Sequence, residues 1–255
     1  MTNSGVHKGF WWRFIVMIVK PFMLATTKRD WRGRENVPRT GGIVVAANHV
    51  SHFDPLTLGH FMHEQGRVPR YLGKASLFEI PVFGRIITSA GQIPVQRGSS
   101  EAAHAFQAAV EAVERGESVI FYPEATITRD PDMWPMTGKT GAARVALSTG
   151  RPVIPIAQWG PQEVYAAYSH RVHLLPRKTM HIKAGPPVDL SAYEGKPLTT
   201  DLLQKATATI MNAIADALGE LRGETPPAEL YDPRTAKAGE TEVPDNGAEE
   251  KGDVG

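Results

Sequence analysis

Short apolar runs and longer stretches with helical spacing alternate along this chain. Apolar runs of roughly four to eight residues with polar or glycine residues at their ends are typical of buried strands, and apolar residues three and four positions apart are typical of helices. The runs predict strands at 43–47, 70–75, 92–96, 118–122, 153–157 and 180–183. The spacing predicts helices from Pro55 and at 83–89, 100–115, 139–149 and 199–222. This alternation predicts an α/β fold, layered, with a largely parallel central sheet flanked by helices.

The N-terminal region is apolar but interrupted, because Arg13 and Lys20 lie inside the run Phe10–Leu24. A helix that spans a membrane needs about 20 mostly apolar residues. We therefore predict that residues 1–29 form an amphipathic helical element in the membrane interface, with Trp11 and Trp12 at headgroup depth. The cations that follow would favour an anionic leaflet: Lys28, Arg29, Arg32 and Arg34. The alternative is a core helix of a soluble domain.

Charge divides the chain near residue 224. The 28 basic and 27 acidic residues give a net charge of +1, but residues 224–255 hold nine acidic and three basic residues, which leaves +7 on the rest. Proline, glycine and charge dominate 224–255, so we predict a disordered acidic tail there. The basic body suits an anionic partner such as a phospholipid headgroup, a phosphate-bearing substrate or nucleic acid. The absence of cysteine excludes disulfides and a thiol nucleophile.

Candidate chemistry follows the first predicted strand, where His49 and Asp54 flank a short loop. Ligands of open α/β sheets bind beyond the carboxyl ends of strands, so His49 is expected at such an edge. Asp54 precedes Pro55, which predicts an N-cap that stays ionised at the start of a helix. The spacing also lets the carboxylate hold Nδ1 of His49 and leave Nε2 as a base. Two alternatives stay open: a capping aspartate beside a loop histidine, and a metal site of His49, His52 and Asp54.

The segment Asn48-His49-Val50-Ser51-His52-Phe53-Asp54 resembles the H-x4-D motif of the glycerolipid acyltransferases, of the 1-acyl-sn-glycerol-3-phosphate (lysophosphatidate) acyltransferase type. Further segments resemble the later blocks of that family and occur in the same order: Gly91–Arg97, Phe121–Thr126 and Arg151–Ile156. The resemblance covers roughly residues 30–190, and it implies an acyltransferase domain over 30–223.

Within this resemblance, His49 and Asp54 would be the catalytic pair. Arg97 would bind a phosphate just beyond a strand, with Lys74 as a second phosphate contact. Glu124 and Thr126, in the third block, would contribute to the acceptor pocket.

The sequence departs from the family pattern at two positions of the third block. Ala125 replaces a glycine, which restricts positive φ. Ile127 stands where the family has arginine, so one expected phosphate ligand is missing. Arg129 and Lys139 are the candidates to replace it. The departure concerns the identity of the acceptor more than the reaction.

The resemblance implies transfer of a fatty acyl group from acyl-CoA, or acyl carrier protein, to the free hydroxyl of lysophosphatidate, which yields phosphatidic acid for phospholipid biosynthesis. It implies no metal and no cofactor beyond acyl-CoA as co-substrate. We expect a peripheral or monotopic protein on the cytoplasmic face of the cell membrane, with an anionic membrane surface as partner and no nucleic acid. The alternatives are another lysophospholipid or glycolipid acceptor, a non-catalytic lipid-binding protein, and a lipid hydrolase using Ser51 or another serine with His49, although the Gly-x-Ser-x-Gly elbow is absent.

Overall fold

A seven-stranded sheet forms the centre of the computed structural model, which describes residues 10–95, 99–167, 169 and 171–235. The strands are β1 Thr27–Arg32, β2 Ile43–Ala47, β3 Pro69–Lys74, β4 Ile93–Val95, β5 Ser118–Phe121, β6 Val153–Trp159 and β7 Lys178–Ala184. Their order is β1-β7-β6-β2-β5-β3-β4, and every neighbouring pair is parallel except β6 and β7. The predicted α/β class with a largely parallel sheet is therefore confirmed.

Helices cover both faces of the sheet. They are α1 Phe10–Thr26, α2 Asp54–Glu64, α3 Phe83–Ser89, α4 Ser99–Glu114, α5 Gly141–Thr149, α6 Pro161–Val164 and α7 Thr200–Arg222. Strand β2 is buried along its whole length. Val45 packs in the cluster that contains Phe61 of α2, whereas its neighbour Val44 packs in the opposite cluster, with residues of α4, α5 and α7. Burial on both faces explains why the sequence of this strand is uniformly apolar.

Strand β1 was not predicted, because its sequence, TKRDWR, contains no apolar run. It lies at the edge of the sheet beside β7, where only Trp31 brings a large apolar side chain to the domain. Two of the cations assigned to the membrane surface form ion pairs instead: Arg29 with Glu64 and Arg32 with Asp30. The boundary placed after residue 29 thus falls inside β1.

Helix α1 rests on the domain through one face. Met23 is buried among Phe53 and other residues beside β7, and Trp12 is buried next to His63 of α2. Of the two tryptophans expected at headgroup depth, only Trp11 is exposed. Other large apolar side chains of α1 are also exposed: Phe10, Met17, Ile18, Phe22 and Leu24. Within the residues that the structure describes, no helix combines the length and apolar character needed to span a bilayer.

The described part of the predicted tail contacts the domain. Leu230 packs against the core cluster that contains Ile210, and the backbone carbonyl of Tyr231 accepts a hydrogen bond from the Thr137 amide at 2.9 Å. Residues 236–255 of that tail lie outside the described residues.

The direction of the strands fixes where loops can meet. The carboxyl ends of β2, β3, β4, β5 and β6 lie at one edge of the sheet, which we call the active-site edge. Because β7 is antiparallel to β6, its carboxyl end lies at the opposite edge. His49 and Glu124 lie on the loops that follow β2 and β5, and Lys74 is the last residue of β3, so these residues share one edge.

Candidate active site

His49 and Asp54 form a close pair at the active-site edge. Nδ1 of His49 lies 2.7 Å from Oδ2 of Asp54, and the same oxygen accepts hydrogen bonds from the amides of Val50 at 2.7 Å and Ser51 at 2.9 Å. The side chain of Asp54 is fully buried, whereas that of His49 is 16% exposed. A carboxylate acceptor requires the hydrogen on Nδ1, so in the neutral ring Nε2 of His49 carries the free lone pair and is available as a base.

The carboxylate of Asp54 accepts backbone hydrogen bonds from the loop that precedes it rather than from the helix that follows. Helix α2 begins at Asp54 itself, with Pro55 in its first turn, so the predicted N-cap is wrong by one position. The amides that bond to its carboxylate belong to Val50 and Ser51, which precede it. Asp54 therefore folds the loop back under His49.

Burial and hydrogen bonding act in opposite directions on Asp54. Removal from water is the larger effect and raises the pKa of its carboxyl, and the bonds from His49, Ser51 and Val50 oppose that rise. The ionised form is the one that these three donors stabilise. In such a dry environment the attraction between Asp54 and a protonated His49 is stronger than it would be in water.

Tyr122 fixes the plane of the His49 ring. The two rings stack with centroids 4.4 Å apart and an interplanar angle of 24°. Tyr71 lies beyond, nearly parallel to Tyr122 at 6.4 Å, and its hydroxyl donates to the carbonyl of Pro55 at 2.8 Å. Burial raises the pKa of the Tyr122 phenol well above its usual value, so this residue stays neutral and acts as a packing surface.

Glu124, on the loop that follows β5, holds the backbone of His49 in place. It is only 5% exposed. Its Oε1 accepts from the His49 amide at 2.9 Å, and its Oε2 accepts from the Met136 amide at 3.0 Å. The Thr128 amide in turn donates to the His49 carbonyl at 2.8 Å. The amide and the carbonyl of His49 are thus both hydrogen-bonded to the loop that follows β5.

The pKa of Glu124 follows from the same contacts. Burial raises it to about 8, and the Met136 and His49 amides oppose that rise. Because both carboxyl oxygens accept hydrogen bonds from backbone amides, the observed contacts of Glu124 hold the loop in place. Its expected contact with the acceptor stays a prediction.

Hydrogen bonds between Asn48 and Gln158 join the carboxyl end of β2 to β6. The Asn48 side chain donates to the Gln158 carbonyl at 3.1 Å and accepts from the Gln158 amide at 2.8 Å. The Gln158 side chain donates to the Asn48 carbonyl at 2.9 Å. These reciprocal bonds fix the carboxyl end of β2, from which the His49 loop starts.

Four of the remaining predicted binding residues lie at the same edge. Lys74 is exposed at the end of β3, Arg129 and Lys139 are exposed after β5, and Thr126 is half-buried. The Lys139 amide donates to the Pro123 carbonyl at 2.7 Å, which places its backbone beside Glu124. Arg97 lies outside the described residues.

Ile127 occupies the position of the expected arginine and is buried, with 4% exposure. An apolar side chain turned into the protein cannot bind a phosphate. Among the residues that the structure describes, no group of three or more histidine, aspartate or glutamate side chains is placed to hold a metal ion.

Ala125 has a strained backbone, with φ of 59°. Left-handed conformations cost non-glycine residues roughly 1–2 kcal/mol. Since Ala125 is exposed and loses little packing on truncation, we expect Ala125→Gly to raise the free energy of unfolding by up to about 1 kcal/mol, measured by denaturant titration. The control is Ala103→Gly on the exposed face of α4, which should lower stability by about 0.5–1 kcal/mol. A decrease at both positions would contradict the strain at Ala125.

Comparison with known proteins identifies the family. Residues 28–159 match the family model described as Acyltransferase. The chain is 29% identical over 193 residues to the 1-acyl-sn-glycerol-3-phosphate acyltransferase of Salmonella typhimurium, covering 74% of each protein. It is 32% identical over 139 residues to the chloroplastic 1-acyl-sn-glycerol-3-phosphate acyltransferase BAT2 of Brassica napus, covering 54% of this chain and 39% of that relative.

A solved structure shares the fold. The crystal structure of the 1-acyl-sn-glycerophosphate (LPA) acyltransferase PlsC from Thermotoga maritima superposes with a TM-score of 0.64, covers 84% of this chain and 81% of its own, and is 21% identical. The family match extends from β1 to the end of β6 and includes His49, Asp54 and Glu124. The chain belongs to the acyltransferase family, as its sequence motifs predict.

Proposed function

We propose that this protein transfers a fatty acyl group from an acyl thioester to the free hydroxyl of 1-acyl-glycerol-3-phosphate, which produces phosphatidic acid. The observation that carries the proposal is the pairing of His49 and Asp54 at 2.7 Å on the active-site edge. The names of the Salmonella and Brassica relatives support lysophosphatidate as the acceptor. Acyl-CoA is the proposed donor, with acyl carrier protein thioester as the alternative.

The reaction is a direct transfer. Nε2 of His49 removes the proton from the acceptor hydroxyl as its oxygen attacks the thioester carbonyl. The tetrahedral intermediate then collapses, so that the ester C–O bond is kept, the C–S bond breaks and the leaving thiolate takes the proton from His49. Asp54 orients the ring and stabilises the imidazolium between these steps.

No protein nucleophile and no metal take part in the proposed reaction. The hydroxyl of Ser51 is buried and donates its hydrogen to the Tyr165 carbonyl at 2.5 Å rather than to His49. This contact supports direct transfer over a serine hydrolase mechanism.

We assign the protein to a membrane surface because lysophosphatidate and phosphatidic acid are lipids. The exposed apolar side chains of α1, among them Phe10, Met17 and Ile18, would enter the interface of a leaflet. Arg13 and Lys20 on the same helix would attract anionic headgroups. The cytoplasmic face of the cell membrane is the proposed location, since acyl thioesters are cytoplasmic metabolites.

Exposed cations after β5 are proposed to bind the acceptor phosphate in place of the missing arginine. We expect the double variant Arg129→Ala/Lys139→Ala to raise KM for lysophosphatidate about tenfold or more, because charge-assisted hydrogen bonds are lost. The KM for the acyl donor should change little in initial-rate measurements.

The control for this prediction is Arg39→Ala, which removes another exposed cation, on the loop before β2 at the opposite edge of the sheet. It should leave both KM values unchanged. A rise in the donor KM of the double variant would assign these cations to the donor site instead.

The proposed function is tested by thiol release from acyl-CoA and from acyl carrier protein thioesters across a panel of acceptors. The panel contains lysophosphatidate, a zwitterionic lysophospholipid and an uncharged glycolipid. We expect the largest kcat/KM with lysophosphatidate. A larger kcat/KM with one of the other acceptors would identify that lipid as the substrate in place of lysophosphatidate. Rapid thiol release without any acceptor would indicate a hydrolase.

A further inference from the structure

The loop that follows β3 exposes a cluster of large apolar side chains that the proposed chemistry does not use. A short 3-10 turn, Ala75–Leu77, follows the strand, and α3 begins at Phe83. Four large apolar side chains from the end of this turn to the start of α3 are exposed: Leu77 at 41%, Ile80 at 46%, Val82 at 68% and Phe83 at 46%. We call residues 77–83 the apolar loop.

The apolar loop is a tightly folded structure. The Gly84 amide donates to the Ile80 carbonyl at 2.8 Å, and the Phe83 amide donates to the Pro81 carbonyl at 2.7 Å. A Cβ added at Gly84 would lie 2.0 Å from the carbonyl oxygen of Phe78, so the two segments approach closely. Val82 has φ of 65°, a conformation that is rare for a β-branched residue. The loop is thus held in a strained turn that leaves its apolar side chains in solvent.

Position links this loop to both the active site and α1. It starts at the carboxyl end of β3, so it lies at the same edge of the sheet as His49. Helix α1 packs against α3, which continues directly from the loop. The exposed apolar side chains of α1 and of the loop therefore belong to neighbouring segments.

The charges of these two segments match an anionic surface. Residues 10–26 carry Arg13 and Lys20 and no acidic residue. Residues 74–89 carry Lys74 and Arg85 against the single acid Glu79. Apolar side chains flanked by cations are the composition that binds the interface of an anionic leaflet.

We propose that the apolar loop Leu77–Phe83 is a second membrane-inserting element, which enters an anionic leaflet beside the active-site edge while α1 lies next to it. Two neighbouring points of insertion set the tilt of the domain, so that the loops carrying His49 and Lys139 face the headgroups. A lipid acceptor then reaches His49 by sliding laterally, with its acyl chain still in the leaflet. This orientation rests on the proposed function, whereas insertion of the loop does not.

The chain offers a matched control for this surface. Leu198 is a leucine of nearly equal exposure, 39% against 41% for Leu77. It lies in the connection between β7 and α7. This connection leaves β7 at the opposite edge of the sheet, where the Val188 amide donates to the carbonyl of Val153, the first residue of β6, at 2.9 Å.

Insertion is measured with a single fluorescent label, which is possible because the chain contains no cysteine. Full-length Leu77→Cys and Leu198→Cys are labelled with a polarity-sensitive dye and mixed with vesicles of phosphatidylcholine and phosphatidylglycerol. We expect a blue shift and protection from an aqueous quencher at position 77 and neither change at position 198. An unshifted label at position 77 on protein that floats with the vesicles would overturn the proposal.

The contribution to binding is measured by vesicle flotation. Leu77→Asp/Val82→Asp should lower the partition coefficient at least about tenfold, since two apolar side chains lose their burial, whereas Leu198→Asp should leave it unchanged. Aspartate tolerates positive φ better than valine, so Val82→Asp should not strain the turn further, and the melting temperature checks that the double variant is folded. Partition equal to that of the unsubstituted protein would also overturn the proposal.

Activity separates this proposal from the proposed function. The double variant should lose activity on vesicle-borne lysophosphatidate and retain it on a short-chain, water-soluble analogue. If the unsubstituted protein acylates neither acceptor while the label at position 77 still shifts, the proposed function fails and the membrane-inserting loop stands.

Discussion

Replacing His49 by alanine is expected to lower kcat for acyl transfer by about 10²–10⁴-fold, the usual contribution of a general base. Nε2 is the only basic atom that the pair with Asp54 leaves free, and Tyr122 holds the ring plane fixed. The side chain is partly exposed, so the variant should fold and bind vesicles as the unsubstituted protein does. The measurement is the initial rate of thiol release in the presence of lysophosphatidate.

The matched control is His52→Ala, which removes an exposed histidine of the same loop whose ring centroid lies 6.5 Å from that of His49. Direct transfer predicts a much smaller loss for this variant. A metal site formed by His49, His52 and Asp54 would instead predict comparable losses, and that result would contradict the assignment of His49 as a base.

Asp54→Asn is expected to lower kcat by a similar factor and to destabilise the fold as well. An amide oxygen in place of Oδ2 keeps the bonds from Val50 and Ser51 but no longer stabilises the imidazolium. The NH2 group would then occupy the place of Oδ1, for which no described residue supplies a hydrogen-bond partner. A buried, unsatisfied donor costs about 1–3 kcal/mol, which denaturant titration should detect.

A second histidine–aspartate pair provides the control for this variant. His181 on β7 and Asp30 on β1 lie 2.8 Å apart, but both side chains are about one third exposed and β1 is three strands away from β2. Asp30→Asn should leave kcat unchanged. An equal loss of activity at both aspartates would show that the effect of Asp54→Asn comes from altered folding rather than from lost chemistry.

The sequence predicts best those elements whose burial is uniform. Strands β2, β5 and β6 are buried on both faces, and this produces short apolar runs that can be recognised without a structure. Strand β1 cannot be recognised in this way because an edge strand needs few apolar residues, and its hydrogen bonds to β7 come from the backbone. Trp12 was predicted at headgroup depth and is buried beside α2 instead, because the helical pattern of α1 does not tell which of its faces packs against the domain.

The candidate site was predictable in its order along the chain and less so in its contacts. The spacing of His49 and Asp54 is enough to suggest their pairing, because a turn of five residues brings the two side chains together. The stacking of Tyr122 and the bond from the His49 amide to Glu124 join residues more than 70 positions apart. Both partners belong to a recognisable block after a strand, but which way each side chain points depends on the loop conformation.

Reciprocal contacts of polar residues were missed for the same reason. Asn48 and Gln158 exchange three hydrogen bonds across 110 positions, and the sequence does not show that the two residues are partners. A buried amide on a central strand is the one signal in the sequence, because such a side chain must find a partner. Gln158, which follows the apolar run of β6, fits that description.

Direct transfer is tested most simply by comparing the unsubstituted protein with and without lysophosphatidate. Thiol release is followed together with mass spectrometry of the lipids and of the intact protein, using acyl-CoA as donor. Direct transfer predicts one phosphatidic acid for each thiol released, no release above background without acceptor, and an unmodified protein mass throughout. Thiol release without acceptor, accompanied by free fatty acid or by a protein carrying one acyl group, would contradict it.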